Sequence, residues 1–133
     1  NMDKAGGKPG NGVDKFVNLD MVADILAAFR DGTTYTGTST DSDFSVSISA
    51  DYSTQGARAL VGYFAGHTHR DALSKYNDIN IVELICSGFF NYGDARYADD
   101  ITEDAFAIVQ VDTANRHVSV NGFGYAKDRG FDY

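Results

Sequence analysis

Tryptophan is absent from the 133 residues, and the single proline is Pro9, so everything after the first ten residues is free of the residue that most readily breaks strands and helices. Cysteine also occurs once, which excludes an intramolecular disulfide; Cys86 closes the apolar run 79–86, where a small core side chain is the better reading than a nucleophile. Basic charge is scarce: 11 Lys and Arg stand against 19 Asp and Glu, a formal net of −8 that repels a polyanion at long range. Direct nucleic-acid binding is therefore not expected. Long apolar runs are missing too. None approaches the roughly 20 residues that span a bilayer, and the start lacks a charged region followed by an apolar signal segment, so no membrane association is expected. The sequence reads as soluble, with cytoplasmic and secreted locations both open. Asn1 ahead of Met2 reads equally as the scar of a cleaved tag or as a cut inside a longer protein.

What is present suffices for an ordinary core: 43% of the residues are apolar and 13% of the chain is aromatic. Residues 3–15 carry four glycines and the proline with almost no apolar side chain, and 1–15 reads as a loop or disordered N-terminus ahead of one domain over 16–133. Leu19, Val22, Ala23, Leu26 and Phe29 recur at helical spacing, with Asn18 placed as N-cap and Gly32 as terminator, which predicts an amphipathic helix near the N-terminus. Phe44, Val46, Ile48 and Ala50 alternate with serines and Asp51, a strand with one wet face. The runs 57–65 and 79–86 lose that alternation and predict central strands covered on both faces. Residues 105–111 and 117–123 flank the polar segment DTANR, which predicts a C-terminal β-hairpin. The mixture is α/β with antiparallel edges, and no internal repeat appears.

The specific feature is Gly66-His67-Thr68-His69, placed where the run 60–65 ends. Ligands in open α/β sheets gather at the carboxyl ends of strands, and Gly66 lets the backbone turn there without a side chain in the way. Neutral imidazoles bind zinc, manganese, iron or nickel, so His67 and His69 are candidate metal ligands, although two histidines do not complete a site. Loop histidines with hydrogen-bonded rings are the plainer alternative. Chance supplies G-H-x-H in roughly one in a hundred chains of this length, which favours ligation. Asp71 is a supporting candidate, either as an acceptor orienting His69 or as a cap on the following turn.

The stretch LVGYFAGHTHRD resembles the last metal-binding motif of calcineurin-like phosphoesterases, and the segments EDAFAIVQVDTANRHVSV and GYAKDRGFDY resemble the C-terminal hairpin and tail of a bacterial and phage-associated subgroup. The likeness extends loosely over residues 16–133. It implies a two-sheet α/β sandwich flanked by helices, of which this chain would be the C-terminal half, hence a truncated or partial domain. It also implies a hydrolase acting on phosphomono- or phosphodiesters through two divalent ions (Mn, Fe, Zn or Ni), with His67 on one ion and His69 on the other. The family's D-x-H, G-D-x-x-D and G-N-H motifs, which precede G-H-x-H, are absent from this sequence. Gly10-Asn11 is followed by Gly12, and Gly93-Asp94 lies on the wrong side with Tyr97 where an aspartate is needed. This chain alone is expected to bind metal weakly or not at all and to be inactive; the missing N-terminal half would be its partner.

Other residues carry blander expectations. His117, beside Arg116, reads as a solvated edge histidine. Asp94, Asp99, Asp100, Glu103 and Asp104 lack EF-hand spacing and read as a solvated loop. Tyr92 and Tyr97 read as packing residues, and Asp128 with Arg129 as an ion pair fixing a tail anchored by Phe131 and Tyr133. Two other function classes compete with the enzyme: a non-catalytic binding or structural module derived from the same fold, and an oligomer bridged by metal through the two histidines. Self-association is expected even for the first reading, because a halved sandwich leaves strand edges uncovered.

Overall fold

The computed structural model describes residues 19–40, 45–66, 71–85 and 99–133. The loop or disordered region expected over 1–15, and Asn18, Phe44, Cys86, Tyr92, Asp94 and Tyr97, lie outside them. The described residues are mixed α and β, with one α-helix and three small sheets. Two compact units emerge, residues 1–60 with 75–79, and residues 61–74 with 80–133. No helix among the described residues is long and apolar enough to cross a membrane.

The first unit is built on α1, Leu19–Asp31. Asp20 lies in its first turn and Arg30 in its last, each favourable to the helix dipole. Met21, Ala23 and Ala28 are its buried residues, Met21 and Ala28 on one face and Ala23 almost opposite; of the expected apolar face Ala23 is buried, while Val22, Leu26 and Phe29 stay half-exposed. Gly32 ends the helix at φ +65, and the amide of Thr33 donates to the carbonyl of Ala28 at 2.9 Å, the outer bond of a Schellman cap. A Cβ at Gly32 would lie 2.2 Å from the carbonyl carbon of Gly56. Strands β1 (Thr34–Thr40) and β2 (Ser45–Asp51) pair antiparallel in unbroken register from Thr34 opposite Asp51 to Thr40 opposite Ser45. The alternation expected in β2 holds, with Ile48 and Ala50 half-buried and the serines exposed, but Val46 is 37% exposed because the ribbon is only two strands wide.

Strand β3 (Tyr63–Ala65) runs parallel to β5 (Ile79–Glu83), which lies between β3 and β4 (Ala72–Tyr76); residues 75–79 of this sheet are counted with the first unit and the rest with the second. Every residue of β5 is buried, Asn80 and Glu83 included, as its nearly continuous apolar pattern predicts. The run 57–65 is strand only over its last three residues and sits at the edge, because Arg58 and Gly62 interrupt it and only 63–65 have β5 as partner. Asn77 and Asp78, at φ 48 and 58, form the two-residue link from β4 to β5, a turn that accommodates left-handed backbone and forces an antiparallel pair.

The C-terminal hairpin forms where the sequence places it: β6 (Ala105–Asp112) pairs with β7 (His117–Gly124), and β8 (Arg129–Asp132) adds to the other side of β7. Asp112 organises the turn by accepting from the amides of Ala114 and Asn115 at 2.9 and 3.0 Å and from the side chain of Asn115 at 2.7 Å. Val118, Val120 and Phe131 of this sheet bury against Val82 of β5, with Val61, Leu84, Ala107 and Tyr133 around them.

Two outcomes follow from these caps. Gly32→Ala is expected to cost more than about 2 kcal/mol in urea unfolding, since it combines a left-handed residue with a steric conflict. The hydrogen bonds from Asn115 hold the Asp112 carboxyl below its usual range, as those from Ser53 and Thr102 do for Asp51 and Asp100. A folded value below the unfolded one means stability that is present above the usual carboxylate pKa and lost as pH falls through the lowered one. The urea midpoint should therefore decline as pH falls below about 4, and less steeply in Asp112→Asn, which keeps the acceptor without the titration.

Candidate metal-site rim at the ends of the parallel strands

Because β3 and β5 are parallel, their carboxyl ends share one rim, with Ala65 in register with Glu83. Gly66 leaves β3 at that rim and is exposed. The chain between Gly66 and Asp71 carries His67, Thr68, His69 and Arg70, which lie outside the described residues; its two feet do not. At the first foot, the amide of Leu84 donates to the carbonyl of Ala65 at 2.8 Å. At the second, the amide of Ile85, the next residue along, donates to the Asp71 carboxylate at 3.1 Å. Consecutive amides at the exit of β5 thus fasten both ends of the segment that bears the histidines.

Asp71 does more than this. Its Oδ1 meets a guanidinium nitrogen of Arg129 at 2.6 Å, and its Oδ2 accepts from the amide of Lys127 at 2.8 Å. The two side chains are only 7% and 12% exposed, so this is a buried ion pair. Arg129 also donates to the carbonyls of Glu83 at 3.0 Å and Lys127 at 3.3 Å, while its buried Nε makes no hydrogen bond. A second tie runs beside the first: Asn80 donates to the carbonyl of Asp132 at 3.0 Å. Strand β8 is laced to β5 at both ends by side chains, with Phe131 between them in the core and its ring 6.4 Å from that of Phe64.

Several sequence-level expectations resolve differently here. Arg129 pairs with Asp71, not with its neighbour Asp128, whose carboxylate instead accepts from the amide of Gly122 at 2.8 Å. The reason is burial: Arg129 points to the inner face of β8, where Asp71 is the counter-charge within reach. Asp71 spends its carboxylate on Arg129 and the amides of Ile85 and Lys127, not on a cap of the turn that follows it; the other role expected of it, orienting His69, lies outside the described residues. His117 bonds through Nδ1 to Asp132 at 2.6 Å on a half-exposed surface, across the pair β7 and β8. The acidic stretch turns on itself: Asp100 caps the short 3-10 helix Ile101–Glu103 by accepting from Thr102, and Glu103 accepts from the amide of Asp99 at 2.9 Å. Among the described residues no group of three or more His, Cys, Asp or Glu side chains is arranged to hold a metal ion. Comparisons with protein-family models, curated proteins and solved structures return no match to this chain.

The structural weight of the pair has a direct measure. Arg129→Gln strands a buried carboxylate and is expected to lower unfolding free energy by about 3–5 kcal/mol, whereas Asp71→Asn with Arg129→Gln, which removes both charges and keeps a side-chain acceptor at position 71, should recover part of that loss. Equilibrium urea unfolding of the parent chain and the two variants checks the order.

Proposed function

We propose that this chain is the C-terminal part of a calcineurin-like phosphoesterase that hydrolyses phosphomono- or phosphodiesters at a binuclear metal site, with His67 and His69 as metal ligands. The observation that carries the reading is that Gly66-His67-Thr68-His69 follows a strand parallel to its neighbour, between Ala65 and Asp71, which accept from the consecutive amides of Leu84 and Ile85 just beyond β5. A short segment held at both ends limits where its imidazoles can go, which is what a metal site requires of its ligands. The contact of Val82 with Val118, Val120 and Phe131 supports the further reading that this is half of a two-sheet sandwich.

The donor chemistry fits divalent ions in kind and falls short in number. Two imidazoles suit manganese, iron, zinc or nickel, and the remaining ligands would come from D-x-H, G-D-x-x-D and G-N-H segments that this sequence does not contain. When bound, the ions would supply charge neutralisation at a phosphoryl group and an activated water. The work of this chain is to present the two imidazoles, with Asp71 and Arg129 as the support beneath them. A second reading, a non-catalytic binding module kept for its surface, is favoured by the absence of those three motifs.

The reading frame upstream of Met2 separates the two. D-x-H, G-D-x-x-D and G-N-H in that order are expected, and the protein including them should hydrolyse bis-p-nitrophenyl phosphate or p-nitrophenyl phosphate with manganese. Chelator, His67→Ala or His69→Ala should each reduce that activity at least about 100-fold. A frame that lacks the motifs would give the binding module the lead.

A further inference from the structure

In the sheet order β6-β7-β8, β6 is an edge, and among the described residues no strand lies beyond it. The phase of its backbone follows from one bond: the amide of Tyr125 donates to the carbonyl of Asp104 at 2.9 Å. That pair continues the register Ala105 opposite Gly124, so by the alternation of an antiparallel ladder Phe106, Ile108, Gln110 and Asp112 turn their backbone groups to β7. Ala105, Ala107, Val109 and Val111 therefore aim theirs away from it. The side chains along this edge are apolar and open: Ile108 is 64% exposed, Phe106 49%, Val111 41% and Val109 37%, and Phe123 of β7, stacked on Phe106 at 4.7 Å, is 45% exposed.

Edge strands ordinarily carry a lysine, a proline or a bulge that discourages pairing. Here eight residues run in continuous register with no charge between Ala105 and Val111 and no proline. We propose that a second copy of this chain pairs here, β6 against β6, antiparallel about a two-fold axis at Val109, to give a six-stranded sheet. The sequence is self-complementary in that register. Val109 meets itself and Ala107 meets Val111, so residues with free backbone groups oppose one another on a wholly apolar face. On the other face Ile108 meets Gln110, and Phe106 covers the aliphatic part of Asp112. Moving the axis to Ile108 would set Asp104 against Asp112, a like-charge pair that disfavours the alternative.

The side chains and edge backbone of two copies would remove on the order of 1,000 Å² from water, near the lower limit for a specific interface. The dimer is accordingly reversible, with a dissociation constant on the order of 1–100 µM. Two copies of net charge −8 repel, so added salt should tighten it. Pairing at β6 needs neither metal nor substrate and stands apart from the hydrolase reading.

Sedimentation velocity of the 133-residue chain over about 1–200 µM tests this, with the mass expected to rise from 14.4 kDa toward twice that value. Val109→Pro removes only an outward amide and should leave a folded monomer. Ile108→Lys, at a position already largely exposed, should do the same and decides the matter if the proline variant does not fold. Val46→Lys, on β2, should dimerise as the parent does. A parent chain that stays monomeric throughout, a dimer that survives both β6 substitutions, or one lost equally in Val46→Lys would each overturn the proposal.

Discussion

The second unit depends on a buried charge that is paired. Asp71, 7% exposed, gathers the guanidinium of Arg129 and the amides of Ile85 and Lys127, three groups from two separate stretches of chain. Desolvating two ions costs several kcal/mol, and the short contact with its additional hydrogen bonds offsets that cost only in one geometry. Such a pair is better at fixing an arrangement than at adding net stability. What it fixes is the placement of the exit of β5, the second foot of the histidine segment and the start of β8 relative to one another.

That constraint connects the core to the candidate site. Strand β8 is four residues long, and its position rests on Phe131 in the core, on the Arg129 bonds at one end and on the bond from Asn80 at the other. The final residue is held in turn, since Arg116 donates to the carbonyl of Tyr133 at 2.6 Å and lies over its ring. The last stretch of the chain thus serves as a brace under the rim where Gly66 leaves β3. A segment that carries two imidazoles between fastened feet suits a site in which ligand direction matters more than ligand motion.

Legibility in the sequence followed the range of the forces involved. The hairpin around DTANR was readable because its signals are local: two alternating runs and a turn whose Asp112 bonds within three residues. Helix α1 and its stop at Gly32 were readable for the same reason. Strand β1 was not anticipated, because Thr34–Thr40 carries its strand preference in threonines without an apolar alternation. The partnership of Arg129 was misassigned to Asp128 because nearness in sequence was the available cue, whereas the true partner is 58 positions earlier and is chosen by burial. Asp71 was singled out for its place beside the motif; its role as the acceptor of an ion pair and two amides depends on strands that meet only in the fold. The histidines were found by a local motif, and Gly66 and Asp71 are where the fold meets it.

Under the proposed function His67 and His69 are the metal-directed pair, while His117 is a surface residue engaged with Asp132. Titration of the chain with zinc, followed through the imidazole nitrogens and backbone amides by NMR, tests it most directly. Shifts are expected at His67 and His69 together with the amides of Leu84 and Ile85, with His117 unchanged. Shifts at His117 with none at His67 and His69 would contradict it.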